Sequence, residues 1–380
     1  MIEISTERPK ERDLPLSLYR DAEEYVHGLI SGPVTPDTGT PREEIRRRAV
    51  LRMERLKDFL RFLGDPHLQY RTIHVGGTSG KGSTSALIAS VLSHAGYRTG
   101  LHVSPYLQVA TEKLMLDGRI ASARRYHDLV MRLAHRVEEW IELGYDPPTY
   151  GEFWVALTFR YFADEAVDYA VIEVGAGGRF DLTNVIQPDV AAITSVGFDH
   201  MITLGSTLPE IAWHKAGILK RGAAGVTSVI EPESLAVIEK EAAGLDVDLV
   251  KISPGDAFRD IETSWDGTSF FDVPSGQRLE VALPGTFQAT NAALAAATVR
   301  ALPEVTVSEE VIGEGLRAAR FPGRMEIVQR DPLVLLDGAH NPEKIGGLCD
   351  NLTTLVEDAR TIVVFGVLES KSYADMLARL

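Results

Sequence analysis

The chain has 380 residues, more than one hydrophobic core usually organises, so we expect two domains. Apolar residues make up 44% of the chain and charged residues 24%, a composition that is typical of globular proteins and excludes global disorder. The formal net charge of -15 disfavours a protein that binds nucleic acid through its overall field.

The cysteine content and the lengths of the apolar runs indicate the cellular compartment. Cys349 is the single cysteine, so no intrachain disulfide can form. The first residues lack the apolar core of a signal peptide, and no apolar run is long enough to cross a bilayer. We therefore expect a cytoplasmic protein with neither a nucleic acid nor a membrane as partner.

The first clear helix is predicted to begin at Thr40. Thr40 suits the N-cap, Pro41 the first helical position, and Glu43 would complete a capping box. Arginines interleaved with acidic residues follow, which favours a solvated face over a nucleic-acid patch. The apolar side chains that recur every three or four residues are Ile45, Ala49, Met53, Leu56, Leu60 and Leu63.

From Thr72 onward, short apolar runs alternate with helix-length segments. TIHV, TGLHV, YAVIEV and VAAITS are the predicted strands, and 83–95 is the first helix among them. This alternation is typical of βαβ units on a mostly parallel sheet with helices on both faces. Between 245 and 285, VDLVK, TSFFDV and RLEVAL are separated by polar turns, which predicts a small region of antiparallel hairpins.

A domain boundary is predicted where two helices, at 288–301 and 308–319, give way to the breaker Phe321-Pro322-Gly323. We therefore divide the chain into 1–319 and 320–380. Beyond the boundary, LVLLDG, a helix near 343–356, TIVVFG and a last helix predict a second βαβ unit. The fold class is α/β.

A glycine-rich turn follows strand TIHV and leads directly into a helix. Backbone N–H groups of such a turn can bind phosphate, the helix N-terminus adds partial positive charge, and Lys81 can reach the β and γ phosphates. Val75 takes the first glycine position of the P-loop pattern, and Ser83 lies two residues after the lysine instead of one. We favour nucleotide binding over a purely structural turn. The expected phosphate-binding residues are Gly77, Thr78, Ser79, Gly80, Lys81, Gly82 and Ser83.

Polar side chains are predicted at the carboxyl ends of two neighbouring strands. Glu173 ends strand YAVIE, and Asp199-His200 follows the next strand. Ligands bind at this edge in open α/β folds, and a carboxylate beside nucleotide phosphates suits Mg²⁺. The alternatives are an arginine-paired structural Glu173 and a packing role for His200. For Lys215, spacing alone indicates an ordinary surface lysine.

Eight segments, in this order, resemble the Mur ligase superfamily and, within it, the family of folylpolyglutamate synthases and dihydrofolate synthases. The resemblance runs from about Leu18 to the end. It implies an ATP-dependent ligase that phosphorylates a carboxylate of folate or dihydropteroate. The amine of L-glutamate then attacks the acyl phosphate, giving an amide, ADP and phosphate. The segments are GTSGKGS, TGLHVSPYL, EVGAGGRFDLTNV, TSVGFDH, HKAGI, PGTFQATNA, FPGR and LLDGAHNP.

The resemblance also implies site residues, and a site between a P-loop ATPase domain and a smaller Rossmann-like domain. That second domain is expected to be incomplete, because the family's domain continues for several elements beyond TIVVFG. We expect a monomer. Lys215 matches a carbamylated lysine whose added carboxylate binds a second Mg²⁺, which replaces the surface interpretation. The implied catalytic residues are Lys81, Lys215 and His340. Beyond the turn, the implied nucleotide contacts are Gln288, Asn291, Arg324 and Asp337. The implied metal ligands are Ser104, Glu173, His200 and Lys215.

Several positions depart from the family pattern. Gly151 stands where an aromatic residue of the family helps to hold the pterin ring, and Tyr150 or Phe153 is expected to compensate. Tyr106 and Phe287 stand where the family has histidines, and Ser79 replaces a common asparagine. Gly151 keeps open a Mur-type ligase that acts on a non-folate acid. A P-loop kinase or NTPase and a non-catalytic nucleotide-binding fragment are the remaining alternatives.

Overall fold

The computed structural model describes residues 15–30, 40–356, 360–368 and 373–380. The helices of these ranges are α1 (Pro15–Gly28), α2 (Arg42–Phe62), α3 (Lys81–His94), α4 (Ala123–Glu142), α5 (Tyr150–Asp164), α6 (Met201–Leu204), α7 (Leu208–Ala216), α8 (Pro232–Leu245), α9 (Phe287–Arg300), α10 (Glu309–Ala318), α11 (Pro342–Leu355) and α12 (Tyr373–Leu377). The strands are β1 (Arg71–Gly76), β2 (Thr99–His102), β3 (Met115–Leu116), β4 (Arg119–Ile120), β5 (Tyr169–Glu173), β6 (Val190–Ile193), β7 (Ala224–Thr227), β8 (Leu249–Lys251), β9 (Phe258–Ser264), β10 (Gly267–Asp272), β11 (Gln277–Val281), β12 (Glu326–Arg330) and β13 (Leu333–Leu336).

The central sheet has eight strands in the order β4-β3-β2-β5-β1-β6-β7-β8. The strands from β2 to β8 in this order run parallel, whereas β3 and β4 form an antiparallel edge. Every residue of β5 and β6 is buried, which explains their unbroken apolar sequences. The predicted α/β fold with a mostly parallel sheet is confirmed.

Helices cover both faces of this sheet, as predicted. Ile73 and Val75 of β1 belong to one apolar core with residues of α3 and α9. Ile172 of β5 packs with α4 and α5 in a second core, and Ile193 of β6 packs with residues of α7 and α8 in a third. The carboxyl ends of β1, β5 and β6 therefore meet at one edge, between two helical layers.

The antiparallel region differs from its prediction. TSFFDV and RLEVAL form β10 and β11 of a separate three-stranded antiparallel sheet, as expected. VDLVK was predicted to join a hairpin, but it forms β8 and pairs in parallel with β7 at the edge of the main sheet. A three-residue strand carries no signal of its partner's direction. β9 was not predicted because its sequence is largely polar and exposed, with no apolar run.

Two predictions about the amino-terminal helices are wrong. α1 precedes the expected first helix and escaped prediction because only Leu18, Ala22 and Val26 form its narrow buried stripe. α2 begins at Arg42, not Thr40. Pro41 has an extended conformation and takes the N-cap position without a side-chain hydrogen bond, so the predicted capping box does not form.

The second predicted βαβ unit does not form in the described residues. LVLL is β13, and it pairs antiparallel with β12 instead of joining a parallel sheet. TIVVFG does not form a strand with any of the residues that the structure describes, and Val364 is 97% exposed. The helix after LLDGAHNP does form, as α11. The boundary at 319/320 stays a prediction, and it falls just after α10.

None of the helices in the described part of the chain combines the length and the apolar character that crossing a membrane requires.

The close packing of α10 on α3 gives a prediction about stability. A Cβ added at Gly315 would lie 2.5 Å from the Val91 Cα, whereas one added at Gly313 would meet Leu279 Cδ2 at an ordinary 3.5 Å. Gly315→Ala should lower the free energy of unfolding by about 1–3 kcal/mol through overpacking. Gly313→Ala should be neutral, or stabilising by up to about 1 kcal/mol. Urea unfolding measures both, and equal effects would contradict this account of the packing.

Candidate active site

The glycine-rich turn lies at the end of β1, and its backbone requires glycine at two positions. Gly77 has φ 146° and Gly80 has φ 83°, values that L side chains rarely adopt. A Cβ at Gly77 would collide with the Thr194 hydroxyl, and one at Gly80 with the Asn291 amide. Ser195 fixes the turn, since its carbonyl accepts the Thr78 N–H at 2.9 Å. The turn is thus a rigid cradle leading into the N-terminus of α3.

Lys81 and Glu173 form the centre of the site. Lys81 Nζ lies 4.0 Å from Glu173 Oε1, and both side chains are largely buried. The Ser104 N–H donates to Glu173 Oε2 at 3.0 Å, so the loop after β2 reaches the same carboxylate. Burial raises the pKa of Glu173, while Lys81 and the Ser104 N–H oppose that rise. Among the described residues, Glu173 pairs with a lysine, which argues against the arginine-paired structural alternative.

Lys215 lies buried in the last turn of α7, with 2% of its surface exposed. Burial and the nearby positive charge of Lys81 lower the pKa of Lys215 to about 7, while Asp199 opposes this shift. The ordinary surface lysine suggested by spacing is therefore wrong. Its sequence neighbours gave no sign of this, because the burial comes from the packing of α7 on the sheet.

His200 has a different environment from the other predicted metal ligands. It precedes the short helix α6 in a left-handed conformation, and its side chain is 49% exposed. Its Nε2 lies 3.9 Å from Asp199 Oδ1. Across the described ranges, no three His, Cys, Asp or Glu side chains gather as a metal site. The predicted set of Ser104, Glu173, His200 and a modified Lys215 includes only two such residues, so its role stays a prediction.

Gln288 and Asn291, at the start of α9, lie beside the turn. Asn291 Nδ2 donates to Gln288 Oε1 at 2.9 Å, and both side chains are buried. Within the described structure, Gln288 Nε2 and Ser79 Oγ have no hydrogen-bond partner. Buried polar groups are rarely left unpaired in this way, so these two atoms fit contacts to a polar ligand such as a nucleotide.

The segment after the predicted boundary contributes three predicted residues. Asp337 accepts the Met325 N–H at 2.8 Å and the Ala339 N–H at 2.7 Å, so it ties two loops together. The Arg324 guanidinium lies 5.1 Å from the centre of the Phe321 ring. Phe321 in turn packs against the start of α3, where a Cβ on Gly82 would meet it at 2.8 Å. His340 Nδ1 lies 2.7 Å from the Gly338 carbonyl oxygen.

The prediction missed Glu343 and Lys344 in the first turn of α11. The Glu343 carboxylate lies against Gly197, in the loop after β6, where a Cβ would collide with it. Burial and the charge of Lys81 lower the pKa of Lys344 to about 8. The available signal was Asn341, which caps α11 by accepting the Lys344 N–H at 2.9 Å and so marks the start of this helix.

A group of aromatic side chains surrounds Lys113 beside the loop after β2. Lys113 Nζ lies 4.3 Å from the Trp154 ring centre, 5.5 Å from that of Tyr106 and 5.6 Å from that of Tyr150. Burial lowers the pKa of Lys113 to about 8. The expectation that Phe153 compensates for Gly151 is wrong, because Phe153 is fully buried in the core beneath α5. Tyr150 remains the candidate.

Two family models match the chain. The Mur ligase middle domain matches residues 75–299, which include the turn, Glu173 and Lys215. The Mur ligase, glutamate ligase domain matches residues 323–380.

Relatives and solved structures agree with these matches. A dihydrofolate synthase/folylpolyglutamate synthase of Bacillus subtilis is 37% identical over 369 residues, covering 95% of this chain and 82% of the relative. A folylpolyglutamate synthase of Lacticaseibacillus casei is 36% identical, covering 86% and 78%. An FPGS–AMPPCP–folate complex superposes with a TM-score of 0.83 at 34% identity, covering 95% of this chain and 86% of that one. For the Mycobacterium tuberculosis folylpolyglutamate synthase complexed with ADP, the TM-score is 0.80 at 26% identity, covering 96% and 80%.

Sequence, fold and turn geometry thus agree with one group of proteins, whose members couple ATP to the formation of an amide. The chain belongs to the folylpolyglutamate synthase and dihydrofolate synthase family of Mur ligases, which are ATP-dependent ligases.

Proposed function

We propose that this chain uses ATP to join L-glutamate to a carboxylate of folate or dihydropteroate. One observation carries the proposal: Glu173 at the end of β5, Lys81 at the start of α3 and Lys215 in α7 form a buried cluster, and Lys344 from the glutamate ligase segment lies near it. The cations of this cluster suit phosphoryl transfer, and the segment that contains Lys344 matches the glutamate ligase domain.

The reaction is proposed to run in two steps. A carboxylate oxygen of the acid attacks the γ-phosphorus of ATP, and the bond to ADP breaks. The amine of glutamate then attacks the acyl carbon, phosphate leaves, and the nitrogen loses a proton. N–H groups of the turn and Lys81 would neutralise the charge on the transferred group, while Arg324 adds a third source of positive charge.

Mg²⁺ is proposed at the Glu173 edge of the cluster. A buried carboxylate with a raised pKa fits this ion, because an added divalent charge would favour its ionised form. Ser104 is adjacent through its N–H bond to the same carboxylate, and His200 is the proposed imidazole ligand. When bound, Mg²⁺ would neutralise phosphate charge.

Carbamylation of Lys215 is proposed because the modification requires a neutral amine. With a pKa of about 7, a substantial fraction of Lys215 is neutral near pH 7, and this fraction rises as the pH rises. The carbamate would carry negative charge beside Lys81 and Lys344, which turns a repulsive arrangement of three lysines into an attractive one.

The identity of the acid substrate has a second candidate. Gly151 packs against Leu182 and offers no ring, so a non-folate carboxylic acid is the alternative. Tyr106 and Tyr150, beside Lys113, supply aromatic surface that favours the folate reading. We also propose that the protein acts as a monomer, because a single chain supplies every member of the cluster. A cytoplasmic location is proposed because the single Cys349 cannot form an intrachain disulfide.

The proposed function is tested by incubating the protein with ATP, Mg²⁺, glutamate and either tetrahydrofolate or dihydropteroate. ADP and a new amide, identified by mass spectrometry, are the expected products. If neither forms with well-folded protein, the proposal is wrong. ADP release that needs a non-folate acid would establish the second candidate, and turnover independent of any amine would indicate an NTPase.

A further inference from the structure

Lys344 lies in the first turn of α11, in the segment that matches the glutamate ligase domain. Its ammonium lies 3.3 Å from His340 Nε2. Nδ1 of the same ring is 2.7 Å from the Gly338 carbonyl oxygen, which can only accept. Nδ1 therefore carries the proton, and Nε2 accepts a hydrogen bond from Lys344. The side chain of Lys344 is thus held in one place, above the loop that precedes α11.

Both cationic and anionic side chains lie near the Lys344 ammonium. Lys81 and Arg324 lie close enough to repel it, and Asp199 and Glu173 are near enough to attract it. Within the described residues, however, Lys344 forms no ion pair with any carboxylate, although its side chain is half-buried. A partly buried cation among other cations is costly unless an anion is bound there. The arrangement therefore indicates an anionic ligand between Lys344 and Lys81.

The position of Lys81 identifies the anion. Lys81 is the first residue of α3 and follows the phosphate-binding turn, so the terminal phosphate of a bound nucleotide lies at its ammonium. Glu343, the residue before Lys344, lies against Gly197, and the Gly197 N–H donates to the Thr78 hydroxyl of the turn at 2.9 Å. The start of α11 therefore lies on the same side of the site as Lys81. The alternative anion is a carboxylate of the amino acid. The amino acid takes no part in the first step, so its carboxylate is not expected to bind beside Lys81 in that step.

We propose that Lys344 is a further catalytic residue, whose ammonium binds the phosphoryl group as it passes from ATP to the acid. This inference rests on the proposed function. As the bond from phosphorus to ADP breaks and the bond to the carboxylate oxygen forms, charge gathers on the peripheral oxygens of the phosphoryl group. Lys344 and Lys81 would bind these oxygens from two sides, and Lys344 would keep its protons throughout.

The consequence is a link between the two parts of the chain. Lys344 belongs to the segment that matches the glutamate ligase domain, whereas Lys81 belongs to the middle domain. Phosphoryl transfer would be fast only while both contact the same group. The acyl phosphate would then form only where the segment for the incoming amine is already in place, which limits its hydrolysis by water.

The first test needs neither acid nor amino acid. Calorimetry gives the affinities for the non-hydrolysable triphosphate AMPPCP and for ADP, each with Mg²⁺. Lys344→Met should lower the preference for the triphosphate by about tenfold, because a charged contact to the terminal phosphate is lost. Lys344→Arg should keep most of it. Lys251→Met is the control, since Lys251 is exposed and pairs with Glu239 away from the site.

The second test measures acyl phosphate formation without glutamate, with hydroxylamine trapping the product. Lys344→Met should slow trapping by about tenfold or more, and the KM for glutamate should change by less than about twofold. An unchanged triphosphate preference in Lys344→Met overturns the inference, as does a raised KM for glutamate with unchanged trapping. Thermal unfolding checks that each variant is folded. The first test uses no acid, so its result does not depend on which acid the protein ligates. The role of Lys344 can therefore be rejected while the ligase activity is confirmed, and it can be supported even if the acid is not a folate.

Discussion

Lys81→Met should reduce ADP formation by about a hundredfold or more, since it removes a cation from the transferring phosphoryl group. The substitution keeps most of the side-chain volume, so packing at the start of α3 should survive. It also leaves the buried Glu173 carboxylate without its partner at 4.0 Å. The pKa of Glu173 should therefore rise further, and the loss should be largest below neutral pH.

Lys81→Met should also change the pKa of Lys215. After burial, the positive charge of Lys81 is the largest cause of the lowered pKa of Lys215. Without that repulsion the pKa of Lys215 should rise, and less of its amine would be neutral at pH 7. Steady-state ADP release measures the main effect, with Lys251→Met as the matched surface control. Turnover within about twofold of the parent protein would remove Lys81 from the mechanism.

Lys215→Ala is expected to have the second large effect, again a loss of about a hundredfold or more in ligation. Lys215 is 2% exposed, so truncation leaves a buried cavity beside Lys81. If the native group is a carbamate, a short carboxylic acid can enter this cavity and supply the missing oxygens. Acetate or formate should therefore restore part of the activity.

Lys215→Met provides the matched control for this rescue. Methionine fills much of the space that alanine leaves, so added acids should not restore activity in that variant. Rescue in neither variant, with both folded, would count against carbamylation, and rescue in both would show that the acids act elsewhere. Removing dissolved CO₂ from the parent protein should lower its activity, because carbamylation needs CO₂ as well as a neutral amine.

The ATP-binding half of the site was predictable because its signals are local. TIHV, the glycines and the following helix are adjacent in sequence, and Gly77 and Gly80 have the positive φ values that the turn needs. Glu173 was predictable from a rule of parallel sheets, since it ends a strand that pairs directly with β1. In both cases sequence position determines spatial position.

The features that escaped prediction depend on packing between distant segments. Lys344 lies near Lys81 because α11 docks against the loops after β1 and β6. Asn341 signals where this helix begins, but not which loops it packs against. The burial of Lys215 has the same origin. VDLVK was assigned to the wrong sheet because a short strand takes its direction from its partner, here β7. α1 was missed because so few of its residues face the core.

Calorimetry of AMPPCP binding, with and without Mg²⁺, tests the central claim most directly. The account predicts Mg²⁺-dependent binding to the parent protein, none or very weak binding to Lys81→Met, and reduced dependence on Mg²⁺ in Glu173→Gln. The glutamine keeps the shape of the carboxylate while removing its charge. Well-folded parent protein that takes up no nucleotide with Mg²⁺, or Lys81→Met that binds as tightly as the parent, would contradict it.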